Sequence, residues 1–245
     1  MIKLDAVELG WPDAPALLSG LSLQIAAGEK VALLGPNGCG KSTLLQMLAA
    51  LVFARSGVYR YCGQAVTRAQ LRMRGWERAF RRDVGLVFQH PEAMFFNATV
   101  HDEIAWGPRR LGWLDAEERS ARWAQELGLT ALLEQPPHSL SGGEKQRLAL
   151  ACVLILEPKL LLLDEPSANL DPQSLGWLCD YLLSLETTLI LSTHSLGFAA
   201  EVAKRVLVIE RRAGLLADGP SEAVLGNTEL LIRAGLMHRR KHRSV

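Results

Sequence analysis

The chain has 245 residues, 49% hydrophobic and 22% charged, with 27 basic and 26 acidic residues for a net charge of +1. That size and balance suit one large or two small globular domains with a sizeable core, and exclude a bulk attraction to nucleic acid while leaving room for a local basic patch. The four cysteines show no C-x-x-C spacing for a zinc site or disulfide framework and read as reduced thiols, and no apolar run approaches the roughly 20 residues that span a bilayer.

The opening MIKLDAVELGW lacks the apolar run of a signal peptide. IKLDAVEL and LSLQI alternate apolar and polar residues as half-buried strands do. KVALL is a short apolar run ending at Gly35, the pattern of a buried strand feeding a loop. STLLQMLAAL is helical in pattern, and GVYRYCG and DVGLVFQ are further strands, so residues 1–90 read as strands around one glycine-rich loop. From Pro91 to Cys152 the pattern turns helical. Asp115 followed by Glu118 resembles a capping box for AEERSARWAQELGL, with Gly128 as its stop. Pro136 and Pro137 break the chain before SLSGGEKQRLALA. Strands return in KLLLLDEP, TLILSTH and RVLVIE, with a helical SLGWLCDYLLSL between the first two. Strands alternating with helices predict a parallel α/β sheet carrying a helical insertion. The chain closes on a basic LMHRRKHRSV.

The segment GPNGCGKS fits G-x-x-x-x-G-K-[ST] between a predicted strand and a predicted helix. Glycines let backbone N–H groups approach phosphate oxygens, and the helix N-terminus adds its positive dipole end. Gly35, Pro36, Asn37, Gly38, Cys39 and Gly40 then form the cradle. Lys41 reaches the β- and γ-phosphates, Ser42 ligates Mg2+, and Thr43 lies near the α-phosphate. Cys39 is either a small residue facing away or an exposed thiol beside the phosphates, open to an alkylator. In LLLLDEPSANLD, Asp164 can hold Mg2+ through water, and Glu165 is the natural group to polarise the attacking water. His194, ending TLILSTH, can bond the γ-phosphate from the next strand, and Gln89, ending VGLVFQ, can reach metal and water. A second open helix start, Ser141-Gly142-Gly143, follows about a hundred residues later, with no second phosphate for it to serve within one molecule.

Together these residues resemble an ABC-type ATPase, the nucleotide-binding subunit of ATP-binding-cassette transporters, from about Ile2 to Gly219. The motifs come in family order: GPNGCGKS as Walker A, Gln89 as Q-loop, LSGGEKQ as signature, LLLLDE as Walker B, SANLD as D-loop and His194 as H-loop. The resemblance implies an α/β fold with a P-loop core, an antiparallel β subdomain and a helical signature subdomain. A single domain would span 1–245, with 1–90 and 153–220 as core, 91–152 as helical insertion, and 221–245 as C-terminal helix and basic tail. It implies ATP and Mg2+ as cofactors, with Ser42, Gln89 and Asp164 toward the metal. It also implies a head-to-tail dimer in which Ser141, Gly142, Gly143 and Glu144 serve the ATP held in the partner's cradle. Trp11 would stack on adenine, and Asp171 would connect the two sites. Glu144 replaces a commoner glutamine and Asn169 a common glycine; neither change removes a catalytic group.

The stretch VGLVFQHPEAMFFNATVHDEIAWGPRRLG is similar to the energy-coupling-factor ATPases, which drive vitamin and transition-metal importers. The likeness lies in Phe88-Gln89, Pro91-Glu92, Phe96 to Val100, Asp102-Glu103 and Gly107 to Gly112, while Met94 stands where a glutamine is often found. His90 to Val100 would form the groove for coupling helices of a membrane subunit. Phe95 and Phe96 are apolar anchors there, unless they pack inside. NTELLIRAGL and the histidine-bearing end are similar to cobalt or nickel members. His238 and His242 have a helical metal-binding spacing, although a solvated basic tail or a weak anionic-membrane contact reads the same residues. Implied partners are a second cassette, identical or related, and transmembrane coupling and substrate-binding subunits, with no nucleic acid. The implied location is peripheral, on the cytoplasmic face of the cell membrane. An exporter or lipoprotein-release ATPase, or a non-transport ABC ATPase, is the alternative.

Overall fold

The computed structural model describes residues 1–11 and 14–238. Strand β1 (Ile2–Leu9) buries Ile2 and Leu4, then Val7 and Leu9. A bulge makes that switch of parity: Ala6 takes φ 48°, and both of the strand's pairings shift there. β2 (Leu18–Ile25), β3 (Lys30–Leu34), α1 (Lys41–Leu48) and β4 (Ser56–Tyr61) follow as the sequence predicts, with a two-residue β5 (Gln64–Ala65).

Helix α2 (Arg74–Asp83) departs from the sequence reading, which saw only strands there. Its apolar face consists of little more than Phe80 and a half-buried Trp76 stacked on it at 5.0 Å, too few residues to register as helical periodicity. β6 (Val84–Val87) leads to α3 (Val100–Leu111) and α4 (Ala116–Glu126). The capping box expected at α4 does not form. Asp115 sits at the N-cap, but its carboxylate takes the Arg119 guanidinium at 2.7 Å instead of a backbone N–H. Gly128 does stop the helix, at φ 66°.

Next come α5 (Gly142–Leu154), β7 (Leu160–Asp164), α6 (Pro172–Ser184), β8 (Thr188–Thr193) and α7 (Leu196–Val202). β9 (Arg205–Glu210) is followed by β10 (Gly214–Pro220), a strand the sequence reading missed. The expected C-terminal helix is two short ones, α8 (Ser221–Gly226) and α9 (Thr228–Arg233), separated at Asn227, whose side chain caps the second. His242 and the rest of the basic tail from 239 onward lie outside the described residues. No described helix is long and apolar enough to cross a membrane.

Among the described residues the strands form an antiparallel sheet, β2-β1-β4-β5, and a larger sheet, β10-β9-β3-β8-β7-β6. In the larger sheet all neighbours are parallel except the β10–β9 edge. Its central strands are buried on both faces, so alternate residues feed two cores. Leu34, Leu161, Leu163, Leu191 and Val208 pack toward helices α3 to α7. Leu33, Leu160, Leu162, Ile190 and Leu207 pack toward α1 and the antiparallel sheet. Each fully buried leucine contributes about 1.5–3 kcal/mol. In register, Leu34 pairs with Thr193, and Ser192 pairs with Asp164. The chain segments leaving β3, β7 and β8 therefore open at one edge of the sheet, where α/β proteins gather ligand-binding groups.

Candidate active site

That edge carries a cavity of about 480 Å³. Its floor is the loop after β3. Gly38 and Gly40 take φ 76° and 110°, conformations a side chain would resist. Gly35 is needed for space: a Cβ there would lie 2.6 Å from both Cys39 Sγ and the Ile209 carbonyl oxygen. Helix α1 starts behind Gly40 with no side-chain cap and no acid in its first turn, so its N–H groups face the cavity unopposed. Asn37, Gly38, Gly40, Lys41, Ser42 and Thr43 all line it. Gly35, Pro36 and Cys39 are not among its lining residues. The exposed-thiol reading of Cys39 is thereby overturned. The residue is fully buried under Gly35, and burial pushes its thiol above the usual range.

Lys41 is 6% exposed and donates to the Gly35 carbonyl at 2.8 Å. Its ammonium also meets Glu165 Oε1 at 3.4 Å. The other oxygen of Glu165 lies 2.8 Å from His194 Nδ1 and accepts the His194 backbone N–H at 3.3 Å. One carboxylate therefore links Walker A to the end of β8. Glu165 holds φ 46°, a conformation costing a non-glycine residue roughly 1–3 kcal/mol. Ser192 fixes it there: its hydroxyl accepts the Glu165 N–H at 2.9 Å and donates to Asp164 Oδ1 at 2.5 Å. Ser192 escaped the sequence reading, although a serine inside the apolar run TLILS is its signal.

Asp164 is buried and does not line the cavity, and its Oδ2 accepts no hydrogen bond from the described residues. Ser42 and Gln89 bring side-chain oxygens to the cavity lining, the donor type that suits Mg2+, and Asp164, set back from the lining, is suited to act only through water. No cluster of three or more His, Cys, Asp or Glu suited to a metal occurs among the described residues.

Gln89 lines the main cavity and also a neighbouring one of about 210 Å³ shared with Glu92, Gly142 and Asn169. It thus sits between the cradle and the start of α5. Trp11 is 57% exposed and is not among the lining residues, whereas Leu17, which the sequence reading passed over, is.

The second helix start behaves differently. Ser141, Gly142, Gly143 and Glu144 lie outside the main cavity. Ser141 and Glu144 close a capping box: Glu144 Oε2 accepts both the Ser141 N–H and its hydroxyl at 2.7 Å. Those bonds hold the Glu144 carboxyl below its ordinary range. Gly143 has an intrachain reason as well, because a Cβ there would collide with the Ser174 hydroxyl on α6. Asn169 takes φ 61°, a glycine-like conformation that asparagine tolerates, which accounts for its standing in for glycine. Asp171 caps α6, accepting the Gln173 and Ser174 N–H groups at 3.0 Å and the Ser174 hydroxyl at 2.6 Å.

The two phenylalanines of the 90–100 segment divide. Phe95 packs against the core. Phe96 is 65% exposed and forms an edge-to-face pair with Trp106, itself 46% exposed, at 5.0 Å. Buried Glu103 braces this loop by accepting the N–H groups of Phe96 and Asn97. The sequence reading singled out neither Trp106 nor this brace.

Comparison with known proteins agrees with this geometry. Residues 18–168 match the family described as ABC transporter. The chain is similar to the nickel import ATP-binding protein NikO of Rhodobacter capsulatus, with 45% identity across 96% of this chain and 95% of that one. It is similar to a putative ABC transporter ATP-binding protein of Archaeoglobus fulgidus, with 37% identity across 97% and 98%. Among solved structures it resembles cbiO1 of Clostridium perfringens, described as part of the ABC transporter complex cbiONQ. The TM-score is 0.82 at 29% identity, covering 96% of this chain and 94% of that one.

Proposed function

The chain belongs to the ABC transporter family of ATP-binding proteins, and on that premise we propose that it hydrolyses ATP to drive a metal importer of the energy-coupling-factor type, carrying nickel or cobalt. The hydrolytic role rests on one observation: Glu165 spans from Lys41 to His194 across the mouth of the cradle. Lys41 exchanges Glu165 for the terminal phosphates of ATP. The released carboxylate orients the attacking water and takes its proton, while His194 keeps that carboxylate aimed. Mg2+, when bound, neutralises charge between the phosphates, with Ser42, Gln89 and Asp164 as its holders. Ser141, Gly142 and Gly143 complete the corresponding site of a second cassette.

The metal cargo rests on the end-to-end similarity to the nickel import protein. Phe96 and Trp106 form an exposed aromatic pair suited to receive an apolar helix of a transmembrane subunit. That docking seats the protein on the membrane without a span of its own. The test is to delete the gene in its native cell, measure nickel and cobalt uptake, and identify what co-purifies with the tagged protein from gently solubilised membranes. Uptake should fall and return with the wild-type chain but not with Glu165→Gln, and a substrate-binding membrane subunit should co-purify. Unchanged uptake of both metals, or recovery with an exporter, would overturn the reading.

A further inference from the structure

Charge is unevenly placed on this molecule. Residues 68–82 hold six arginines and one acid, Glu77, within a chain whose net charge is +1, so the rest of the chain is net negative. On α2 the arginines fall at 74, 78, 81 and 82, the i, i+4, i+7, i+8 spacing of a single helix face. All four are exposed, as are Arg68 and Arg72 beside them. The opposite face is pinned to the protein: Phe80 is buried, stacked on Trp76 and set edge-on to Tyr61 at 5.4 Å.

Little within the chain offsets this stripe. Arg81 donates to the Ala49 carbonyl at the end of α1, and Arg82 meets Asp83 at 3.5 Å. Arg72, Arg74 and Arg78 have no hydrogen-bond or ion-pair partner among the described residues. Like charges one turn apart weaken a helix, so the stripe is held in place by the aromatic anchors rather than by pairing. At its head Met73, 58% exposed, adds an apolar side chain among the cations.

We propose that this arginine face of α2 is a contact surface for anionic phospholipid headgroups. A basic amphipathic helix lying flat on a protein suits a planar anionic surface, with Met73 reaching the acyl boundary. A long nucleic acid would meet the net negative remainder of the chain, and the stripe is only about 15 Å long. The placement is consistent: α2 leads directly into β6, the sheet's edge strand, which runs on to Gln89 and the segment assigned above to membrane subunits. The proposal rests on that assignment for its setting. The purified chain tests it without any transport subunit, so the two can fail separately.

The measurement is flotation of the purified full chain with vesicles of pure phosphatidylcholine or of phosphatidylcholine with a third phosphatidylglycerol, at about 0.1 M salt. Binding should require phosphatidylglycerol. Arg72→Gln/Arg74→Gln/Arg78→Gln should weaken it roughly a hundredfold, at the usual contribution of one arginine near an anionic surface. The corresponding triple lysine variant should keep it, and ATP binding and melting temperature should be unchanged in both. A chain ending at residue 238, without the basic tail, should still bind. Equal binding to both vesicles would overturn the proposal, as would an unaffected triple glutamine variant or loss on tail removal alone. Tighter binding to duplex RNA than to the anionic vesicles at the same salt would also overturn it.

Discussion

Helix α1 opens behind Gly40 with no side-chain cap and no acid in its first turn, whereas α5 opens behind Ser141 with a closed capping box. Both are glycine-flanked helix starts suited to an anion, yet only the first is unfinished in a single chain. At α1 the cation is provisionally occupied: Lys41 leans on the Gly35 carbonyl and on Glu165. At α5 an internal carboxylate, Glu144, already occupies the Ser141 N–H and hydroxyl. An incoming phosphate at α1 releases an ion pair and gains a lysine. At α5 it displaces a group of its own sign. Under the proposed function, that difference predicts an order in which nucleotide loads on α1 first and the α5 of a second cassette engages it afterwards.

The largest effect that tests this comparison is at α1. Glu165→Gln should lower hydrolysis by about 10²–10⁴-fold, the usual contribution of a positioned acid–base group, while ATP still binds. Phosphate release and nucleotide binding on the same preparation check it; normal turnover would remove Glu165 from the water-polarising role. Ser141→Arg should cost roughly 10²–10³-fold in hydrolysis at every protein concentration, by analogy with loss of an anion-stabilising donor, without weakening ATP binding to the single chain. If nucleotide binding to the isolated chain fell instead, α5 would belong to the same site as α1 within one molecule.

A smaller effect isolates the cap. Glu144→Gln keeps the shape but removes the charge from the α5 start, which at such an exposed position contributes about 0.3–1 kcal/mol. Thermal melting at neutral pH should fall by about 1–4 °C. The sign of its pH dependence follows from a carboxyl held below its ordinary range by Ser141. The contribution is present above the unfolded value of about 4.3 and is lost as pH falls through the lower folded value. The wild-type and Glu144→Gln melting curves should therefore converge in acid. The variant should also need less ATP to pair, read by size-exclusion in the Glu165→Gln background.

The same contrast separates what could be read from sequence. Lys41, Ser42 and the glycines share one short unbroken segment, so one strand-loop-helix pattern fixes them together. Glu165 and His194 end apolar runs, and strand ends in a parallel sheet converge. Ser192 depends on the register of β8 against β7, which spacing along the chain does not carry. Gly143 reads from sequence as part of a helix start serving a partner's phosphate, while the clash that a side chain there would make with Ser174 depends on how α5 lies against α6. The capping box was expected at Asp115 and formed at Ser141. Both segments fit the pattern, and the nearby Arg119 carried off the first carboxylate. Helix α2 stayed hidden because its arginines outnumber its two aromatic anchors.

The smallest expected effect is an absence of one, inside the cradle itself. Cys39 lies within the glycine loop, where an accessible thiolate would make the α1 site chemically vulnerable. Its sulfur is instead turned under Gly35, and burial raises its thiol's pKa, so the reactive thiolate is scarce as well as unreachable. Cys179 is buried too, pushed up to about 12, whereas Cys62 is exposed. A brief treatment with a small alkylator should modify Cys62 first, with ATPase activity retained and ATP giving no protection. Peptide mass spectrometry against activity over time checks this. Rapid Cys39 modification slowed by ATP would mean that the loop opens in solution, and that the α1 start is as conformationally unfinished as it is electrostatically.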